Sequence, residues 1–275
     1  MKEQLSFLFS VVGVFLLLPC VLTFFISGGE SCGFSRKITL EQCLPALTQT
    51  QISAGYGIEM KKAQSVMVRT NVRMQLEAGH TLAEIIYDYY SEWEAKGKVM
   101  PLSVEYEEFQ QAAEATCDEI LTYEEELAAV PYHRISSQMT RNGKDVLPGQ
   151  EMDYLTAVES PEDKDAEDYA TIITVEKQQL PKELEILERD KSGYVLKMRA
   201  DEQIMLGENF RIQMGLPSSC FSMEESGTKV RFFCRGQGHG LGLSQYGGSV
   251  LEKEGMDYQE ILNYYFPGLT LEKRT

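Results

Sequence analysis

The first pattern along the chain is an uninterrupted apolar run near the amino terminus. No charged side chain occurs from Leu5 to Ile26, and such a run is long enough to cross a hydrocarbon core of roughly 30 Å as a helix. Pro19 lies inside the run, which membrane helices tolerate. A cleaved signal peptide has a shorter apolar core, of about 7–15 residues. The pattern therefore favours an uncleaved single-pass anchor in residues 1–29, with a cleaved signal peptide as the alternative.

The body that follows, residues 30–275, mixes helical and strand-like spacing of apolar residues, and Thr81 with Glu84 forms a capping-box pattern. The first half predicts helices beginning near Ile38, over Ile58–Glu77, from Thr81 to about Lys96 and from about Val104 to Thr116. The second half predicts strands at Ile120–Tyr123, Ala128–Ile135 and Gly193–Arg199, a short helix at Pro181–Leu187, a hairpin of Cys220–Glu225 with Lys229–Cys234, and helices at Gln245–Lys253 and Tyr258–Tyr265. The fold class is therefore a single mixed α+β domain behind one N-terminal transmembrane helix.

Charge and cysteine content narrow the choice of partners. The formal net charge of −16 argues against nucleic acid and against close adhesion to an anionic lipid surface, since both require a basic patch. The cysteines show neither a C-x-x-C pair nor a zinc-ribbon spacing. Cys220 and Cys234 flank the predicted hairpin. Buried reduced thiols are the favoured interpretation, and a disulfide between these two is the alternative.

A glycine-rich segment runs from Arg235 to Gly248, with six glycines that exclude an ordinary helix or strand. It lacks the Gly-Lys-Ser/Thr ending of a P-loop and the spacing of a nucleophile elbow. Donors and acceptors in this segment come from His239, Ser244, Gln245 and Tyr246. Composition alone leaves a functional loop and a structural turn both open.

A second informative segment, from Glu59 to Thr70, has the pattern of an amphipathic helix. Helical spacing predicts that Lys62, Gln64 and Arg69 are partly exposed, while Ala63, Val66 and Met67 face inward.

Together the two segments resemble the stage II sporulation protein D and LytB amidase-enhancer family (SpoIID-like). The family's C-terminal pattern, Gly-x-Gly-His-Gly-Val-Gly-Met-Ser-Gln-Tyr-Gly-Ala, is matched at Gly236, Gly238, His239, Gly240, Gly242, Ser244, Gln245, Tyr246 and Gly247. Its N-terminal pattern, Glu-Ala-Leu-Lys-Ala-Gln-Ala-Val-Ala-Ala-Arg-Thr-Tyr, is matched at Glu59, Lys62, Ala63, Gln64, Val66, Arg69 and Thr70. The resemblance covers nearly the whole body after residue 38.

The resemblance implies a cell-membrane protein with its domain facing the wall, where peptidoglycan glycan strands and another wall hydrolase are the expected partners. One branch of the family is a lytic transglycosylase that uses one glutamate as general acid and base, and the other enhances an amidase. No cofactor is implied. The substrate-binding residues that the resemblance implies are Lys62, Gln64, Arg69, His133, His239, Ser244, Gln245 and Tyr246.

The chain departs from the family at three places. The family's glutamate lies eighteen residues before the motif arginine, which places Gln51 at that position here, and glutamine cannot exchange a proton. The stretch Tyr90–Glu105 contains no His or Cys, so the zinc that some members bind there is not expected. The loop after His133 loses both of the family's glycines. We therefore expect strand binding with impaired cleavage. The alternatives are an active transglycosylase that uses another carboxylate, such as Glu41 or Glu59, and a structural or amidase-enhancing partner.

Overall fold

The computed structural model describes residues 38–95, 105–146 and 152–274. Within them, Leu40–Thr275 is one compact unit, and the prediction of a single mixed domain is confirmed. Among these described residues no helix is long and apolar enough to cross a membrane. The anchor predicted over Leu5–Ile26 lies outside the described residues.

Four helices come first in the described part of the chain, followed by three short strands and a fifth, short helix. These elements are α1 (Leu40–Gln51), α2 (Ile58–Glu77), α3 (Leu82–Ala95), α4 (Glu105–Ala115), β1 (Glu119–Tyr123), β2 (Glu126–Leu127), β3 (Tyr132–His133) and α5 (Gly143–Val146). The second half is richer in strands. Its elements are β4 (Ala170–Glu176), β5 (Leu184–Arg189), β6 (Val195–Ala200), β7 (Gln203–Leu206), α6 (Gly207–Met214), β8 (Phe221–Ser226), β9 (Lys229–Arg235), β10 (Leu243–Ser244), α7 (Gln245–Lys253), α8 (Tyr258–Tyr265) and β11 (Thr270–Lys273).

Helix α2 is the central element of the helical half. One of its faces contributes Val68 and Val72 to a core shared with α1, α3 and α4. Another face places Met60 and Val66 in a second core with strand β1 and helix α8. Because both faces are covered, even Lys61 is fully buried in α2. The helix therefore anchors the elements around it.

The strands form four small sheets in the described residues. Two are antiparallel sheets in the orders β4-β9-β8 and β5-β6-β7, and a third has the order β11-β1-β2. The fourth is a short parallel pair in which Leu243 lies opposite Tyr132 and Ser244 opposite His133. This pair brings the glycine-rich segment against β3, so it determines where the site residues lie.

Several sequence predictions are confirmed in detail. The bounds of α2, α7 and α8 are as predicted, and the hairpin of β8 and β9 forms around Gly227. Thr81 and Glu84 form their reciprocal capping bonds. Cys220 and Cys234 are buried free thiols, as favoured.

The helix predicted over Pro181–Leu187 is wrong, because β5 occupies this segment. Leu184 and Ile186 alternate onto an apolar core and pair with β6. Burial of one face therefore overrides the helix propensity of the intervening lysine and glutamates. Strand β4 and helix α6 were not predicted.

Candidate functional site

The glycine-rich segment passes so close to β3 that side chains have no room at its glycines. Gly238 and Gly242 have φ values of +107° and +67°, in the left-handed region. A Cβ at Gly238 would lie 2.7 Å from the Cβ of His133, and one at Gly242 would lie 2.0 Å from the Pro131 carbonyl oxygen. The glycines therefore permit the close approach that pairs β10 with β3.

His133 and His239 are held by the same backbone residue. The N–H of Leu241 donates to Nδ1 of His239 at 3.0 Å, and Nδ1 of His133 lies 3.0 Å from the Leu241 carbonyl oxygen. These partners assign the neutral proton to Nε2 in His239 and to Nδ1 in His133. The ring centroids are 5.8 Å apart. The two imidazoles thus bracket a single peptide unit.

Burial keeps both histidines neutral. It lowers the pKa of His133 to about 3, and it lowers the pKa of His239 as well, because the charged imidazolium loses its hydration. The Nε2 atom of His133 is buried without a hydrogen-bond partner among the described residues. No three metal-ligating side chains come together within those residues. The pair therefore offers a buried acceptor, Nε2 of His133, beside a second neutral ring.

A network of neutral amides joins three of the predicted site residues. Gln245, at the start of α7, donates from Nε2 to the backbone carbonyl of Gln51 at 2.9 Å and to Oε1 of Gln64 at 3.0 Å. The Tyr132 hydroxyl donates to Oε1 of Gln51, and Gln51 donates to the Thr50 hydroxyl at 2.7 Å. All of these partners are uncharged, so the Gln51 side chain is held in place without a carboxylate in contact.

Gln64 lies deeper than the sequence predicts. It is fully buried, so the expectation of partial exposure is wrong. Its Nε2 has no hydrogen-bond partner in the described residues. Helix α2 packs on both sides, which turns this polar face inward toward Gln245.

Ser244 caps α7 and rests on a buried carboxylate that sequence reasoning missed. Its hydroxyl accepts from the Gly247 N–H at 3.3 Å and donates to Oδ1 of Asp163 at 2.9 Å. The Ser136 N–H donates to Oδ2 of Asp163 at 2.7 Å. Burial raises the pKa of Asp163, and these hydrogen bonds oppose that rise. Asp163 therefore ties the glycine-rich segment to the loop after β3. The only sequence signal for it is its place in an acidic stretch that resembles a solvated loop.

Arg69 is also fully buried, so its predicted partial exposure is wrong. Its Nε and Nη2 bind the two carboxylate oxygens of Glu41 at 2.7 and 2.9 Å. The guanidinium also donates to the carbonyls of Ala113 and Glu119 at 3.1 and 3.2 Å. This arrangement joins α1, α2, α4 and β1. A substrate contact at Arg69 stays a prediction, while the geometry gives the side chain a structural task.

Lys62 and Glu59 form an ion pair on the partly exposed face of α2, with Nζ and Oε1 at 2.7 Å. The Lys62 ammonium lies 5.6 Å from the centroid of the Tyr258 ring. Glu59 also accepts from the Tyr258 N–H at 3.0 Å. Both charged side chains therefore link α2 to α8, and each is paired with the other.

An open cavity of about 490 Å³ is lined by residues that are close in sequence to members of the amide network. Tyr246, the residue after Gln245, lines it together with Tyr56 from the loop after α1. Burial raises the pKa of Tyr56, so its hydroxyl stays protonated. Glu252 also lines the cavity, and its Oε1 accepts from the Glu59 N–H at 2.9 Å, which caps α2. Tyrosine faces with polar neighbours suit a ligand that has both apolar ring faces and hydroxyl groups.

Comparison with known proteins points to one family. The family model described as SpoIID, stage II sporulation protein, matches residues 29–123. The chain is 25% identical over 262 residues to stage II sporulation protein D of Bacillus subtilis (strain 168), which covers 86% of this chain and 76% of that protein. These matches support the SpoIID family for this chain.

Two further relatives are matched over shorter stretches. Stage II sporulation protein D of Bacillus amyloliquefaciens is 25% identical over 173 residues, covering 59% of this chain and 50% of that protein. The amidase enhancer of Bacillus subtilis (strain 168) is 37% identical over 54 residues, covering 20% of this chain and 8% of that protein. The SpoIID family suggests a role in sporulation and in the cell wall.

Proposed function

We propose that this chain is an extracytoplasmic SpoIID-like protein of sporulation that binds peptidoglycan glycan strands but is impaired in cutting them. The observation that carries the proposal is the environment of Gln51. This side chain sits at the end of α1 among neutral partners, two residues before Ser53, which lines the cavity together with Tyr56 and Tyr246. The SpoIID family suggests the wall as the place of action.

The impairment follows from the chemistry of the amide. Cleavage of a glycosidic bond needs a group that gives a proton to the leaving oxygen, and one such group contributes typically 10²–10⁴-fold in rate. Glutamine keeps the size and the hydrogen bonds of glutamate, but it has no proton to transfer at working pH. Gln51 can therefore hold a sugar hydroxyl, although it cannot act as the acid.

The alternative of an active transglycosylase requires another carboxylate in the cavity. Glu41 is bound to Arg69, and Glu59 is bound to Lys62 and the first turn of α8. Glu252 is the carboxylate that lines the cavity, and one of its oxygens caps α2. It is therefore the residue on which this alternative depends.

A non-catalytic, amidase-enhancing role is the second alternative, and the match to an amidase enhancer favours it. In either role the proposal places the apolar run Leu5–Ile26 in the cell membrane and the domain on the side of the wall. The membrane, the glycan strands and a second wall hydrolase are then the partners, and nucleic acid is not.

The deciding experiment incubates the full-length chain, purified in detergent, with purified sacculi and measures the release of anhydro-muropeptides. We expect no release by the wild type and release by Gln51→Glu, because Tyr132 can donate to a carboxylate oxygen as it does to the amide. Release by the wild type that disappears in Glu252→Gln would establish the active alternative instead.

A pull-down with sacculi separates strand binding from an amidase-enhancing role. We expect the wild type to bind and Tyr246→Ala to bind at least several-fold more weakly, since an aromatic face in a cavity contributes stacking area. Tyr87→Ala is the matched control, because Tyr87 is 73% exposed on α3 and does not line the cavity. Absence of binding by the wild type would refute the proposal.

A further inference from the structure

A second cavity, of about 560 Å³, lies on the sheet formed by β4, β9 and β8. Residues from all three strands line it, together with Gly193 and Arg189. Nothing in the proposed glycan-binding site uses this cavity. Its volume is within the usual range for small-ligand sites, about 300–1,000 Å³.

Two of the lining residues are arginines, and both lie close to Gly193. Arg189 donates from Nη1 to the Gly193 carbonyl and from Nη2 to the Phe221 carbonyl, both at 2.8 Å. Nη2 of Arg235 lies 3.5 Å from the Sγ of Cys220 and 3.4 Å from the position that a Cβ of Gly193 would occupy. Both guanidinium groups therefore contact the same turn.

Neither arginine has a counter-charge in the part of the chain that the structure describes. The ion pairs found there include neither Arg189 nor Arg235, although the chain carries a net charge of −16. The neighbouring carboxylate of Asp190 is committed to Arg141 at 2.6 Å and to the Tyr194 N–H at 2.8 Å. Two like charges at one turn repel each other unless an anion lies between them.

The floor of the cavity is apolar. Ile172 of β4 lies opposite Phe233 of β9 in the register, and Ile172 is 57% exposed. An exposed isoleucine beside an aromatic ring and two unpaired guanidinium groups is an environment for a ligand that is apolar on one side and anionic at one end.

We propose that this cavity binds a carboxylate that carries an apolar substituent, the chemistry of a peptide C-terminus that ends in an apolar residue. A guanidinium fork matches the two oxygens of a carboxylate, and the terminal side chain lies on Ile172 and Phe233. Gly193 has a φ of +89° and no side chain, so it leaves the space in front of Arg235 open. The site extends the protein's function beyond glycan binding and does not depend on it.

The test measures binding of N-acetyl-leucine to the full-length chain by calorimetry and by the rise in melting temperature. N-acetyl-leucinamide is the matched ligand, since it keeps the apolar group and loses the charge. We expect the acid to bind and the amide to bind at least tenfold more weakly. Equal binding of the two, or equal binding of N-acetyl-leucine and inorganic phosphate, would overturn the proposal.

Variants locate the site. Arg189→Gln and Arg235→Gln are each expected to weaken the binding of N-acetyl-leucine at least tenfold, measured at a temperature where the ligand-free variants are folded, because each removes one of the two cationic groups that hold the carboxylate. Arg231→Gln is the control, because it removes the same charge from the same strand, β9. Within the described residues, the Arg231 side chain donates a hydrogen bond to Ser226. Unchanged affinity in both cavity variants, or an equal loss in Arg231→Gln, contradicts the assignment.

A longer ligand identifies the source of the carboxylate. A hexapeptide with a free C-terminal leucine that binds at least tenfold more tightly than N-acetyl-leucine assigns the cavity to the chain end of a larger partner. Equal affinity assigns it to small free carboxylates. Failure of both ligands to bind refutes the proposal, and the sacculus experiments are unaffected by either result.

Discussion

Replacing Arg69 by alanine distinguishes a structural arginine from a substrate-binding one. Arg69 is fully buried and binds both carboxylate oxygens of Glu41 and the carbonyls of Ala113 and Glu119. Breaking a buried ion pair by removing one partner costs about 3–5 kcal/mol. The Glu41 side chain is 31% exposed and can regain water, which places the expected loss near the lower value. We therefore expect a loss of about 3 kcal/mol in the free energy of unfolding.

Arg73→Ala is the matched control for this substitution. Arg73 lies one turn further along α2, its side chain is 21% exposed, and it binds Asp118 at 3.2 Å and donates to the Arg274 carbonyl. A partly exposed ion pair contributes about 0–1 kcal/mol and the hydrogen bond about 1 kcal/mol, so this variant is expected to lose at most about 2 kcal/mol. Both variants remove the same charge and the same length of side chain.

Urea unfolding followed by circular dichroism gives both free energies, and a sacculus pull-down at a temperature where both variants are folded gives binding. A loss of 3 kcal/mol corresponds to about 6–12 °C in melting temperature for a domain of this size. We expect Arg69→Ala to lose stability and to keep its binding per folded molecule. If its stability matched that of Arg73→Ala while sacculus binding disappeared, the structural reasoning would be refuted and Arg69 would be a substrate contact.

Three further predictions concern the residues around the glycine-rich segment. Burial depresses the pKa of His133 to about 3, so the contribution of this residue to stability is full above the unfolded pKa of about 6.5 and is lost as the pH falls toward 3. Between pH 7 and pH 4, the free energy of unfolding of the wild type, measured by urea titration, should therefore fall by about 3 kcal/mol more than that of His133→Asn. Asp163→Ala leaves two buried donors unpaired and should cost about 2–4 kcal/mol in the same assay, and a loss below 1 kcal/mol would contradict the buried contacts. Gly242→Ala places a Cβ 2.0 Å from the Pro131 carbonyl oxygen, whereas Gly215 has a similar φ and no atom near its Cβ position. Gly242→Ala should therefore have a melting temperature well below that of Gly215→Ala. Equal melting temperatures would show that the close approach at Gly242 does not destabilise the variant.

The sequence was sufficient to predict those elements in which hydrophobic periodicity and local hydrogen bonding agree. Helix α2 has apolar residues at helical spacing over its whole length, and the capping bonds of Thr81 and Glu84 involve residues only three positions apart. The hairpin around Gly227 is local for the same reason. These elements form through contacts between near neighbours, which is why the pattern alone predicts them.

The errors arise where distant segments decide the outcome. Arg69 looks like an exposed helix residue until α4 and β1 cover it, and Leu184 looks helical until β6 pairs with it. Asp163 reads as part of an acidic loop, although Ser244, from the far end of the chain, lies on it. Such burial depends on long-range packing, which a single sequence does not display.

The same long-range packing bears on the proposal that the candidate site binds glycan strands without cutting them. The motif residues Ser244 and Gln245 point inward, one to Asp163 and the other to the backbone of Gln51. Gln245 holds the end of α1 through the backbone carbonyl of Gln51, a contact that is the same whether the side chain at position 51 is an amide or an acid. The cavity can therefore keep its shape when the side chain at position 51 is not a proton donor. For this reason, Gln51→Glu is expected to restore a proton donor to a site that is already assembled, and no second substitution should be needed.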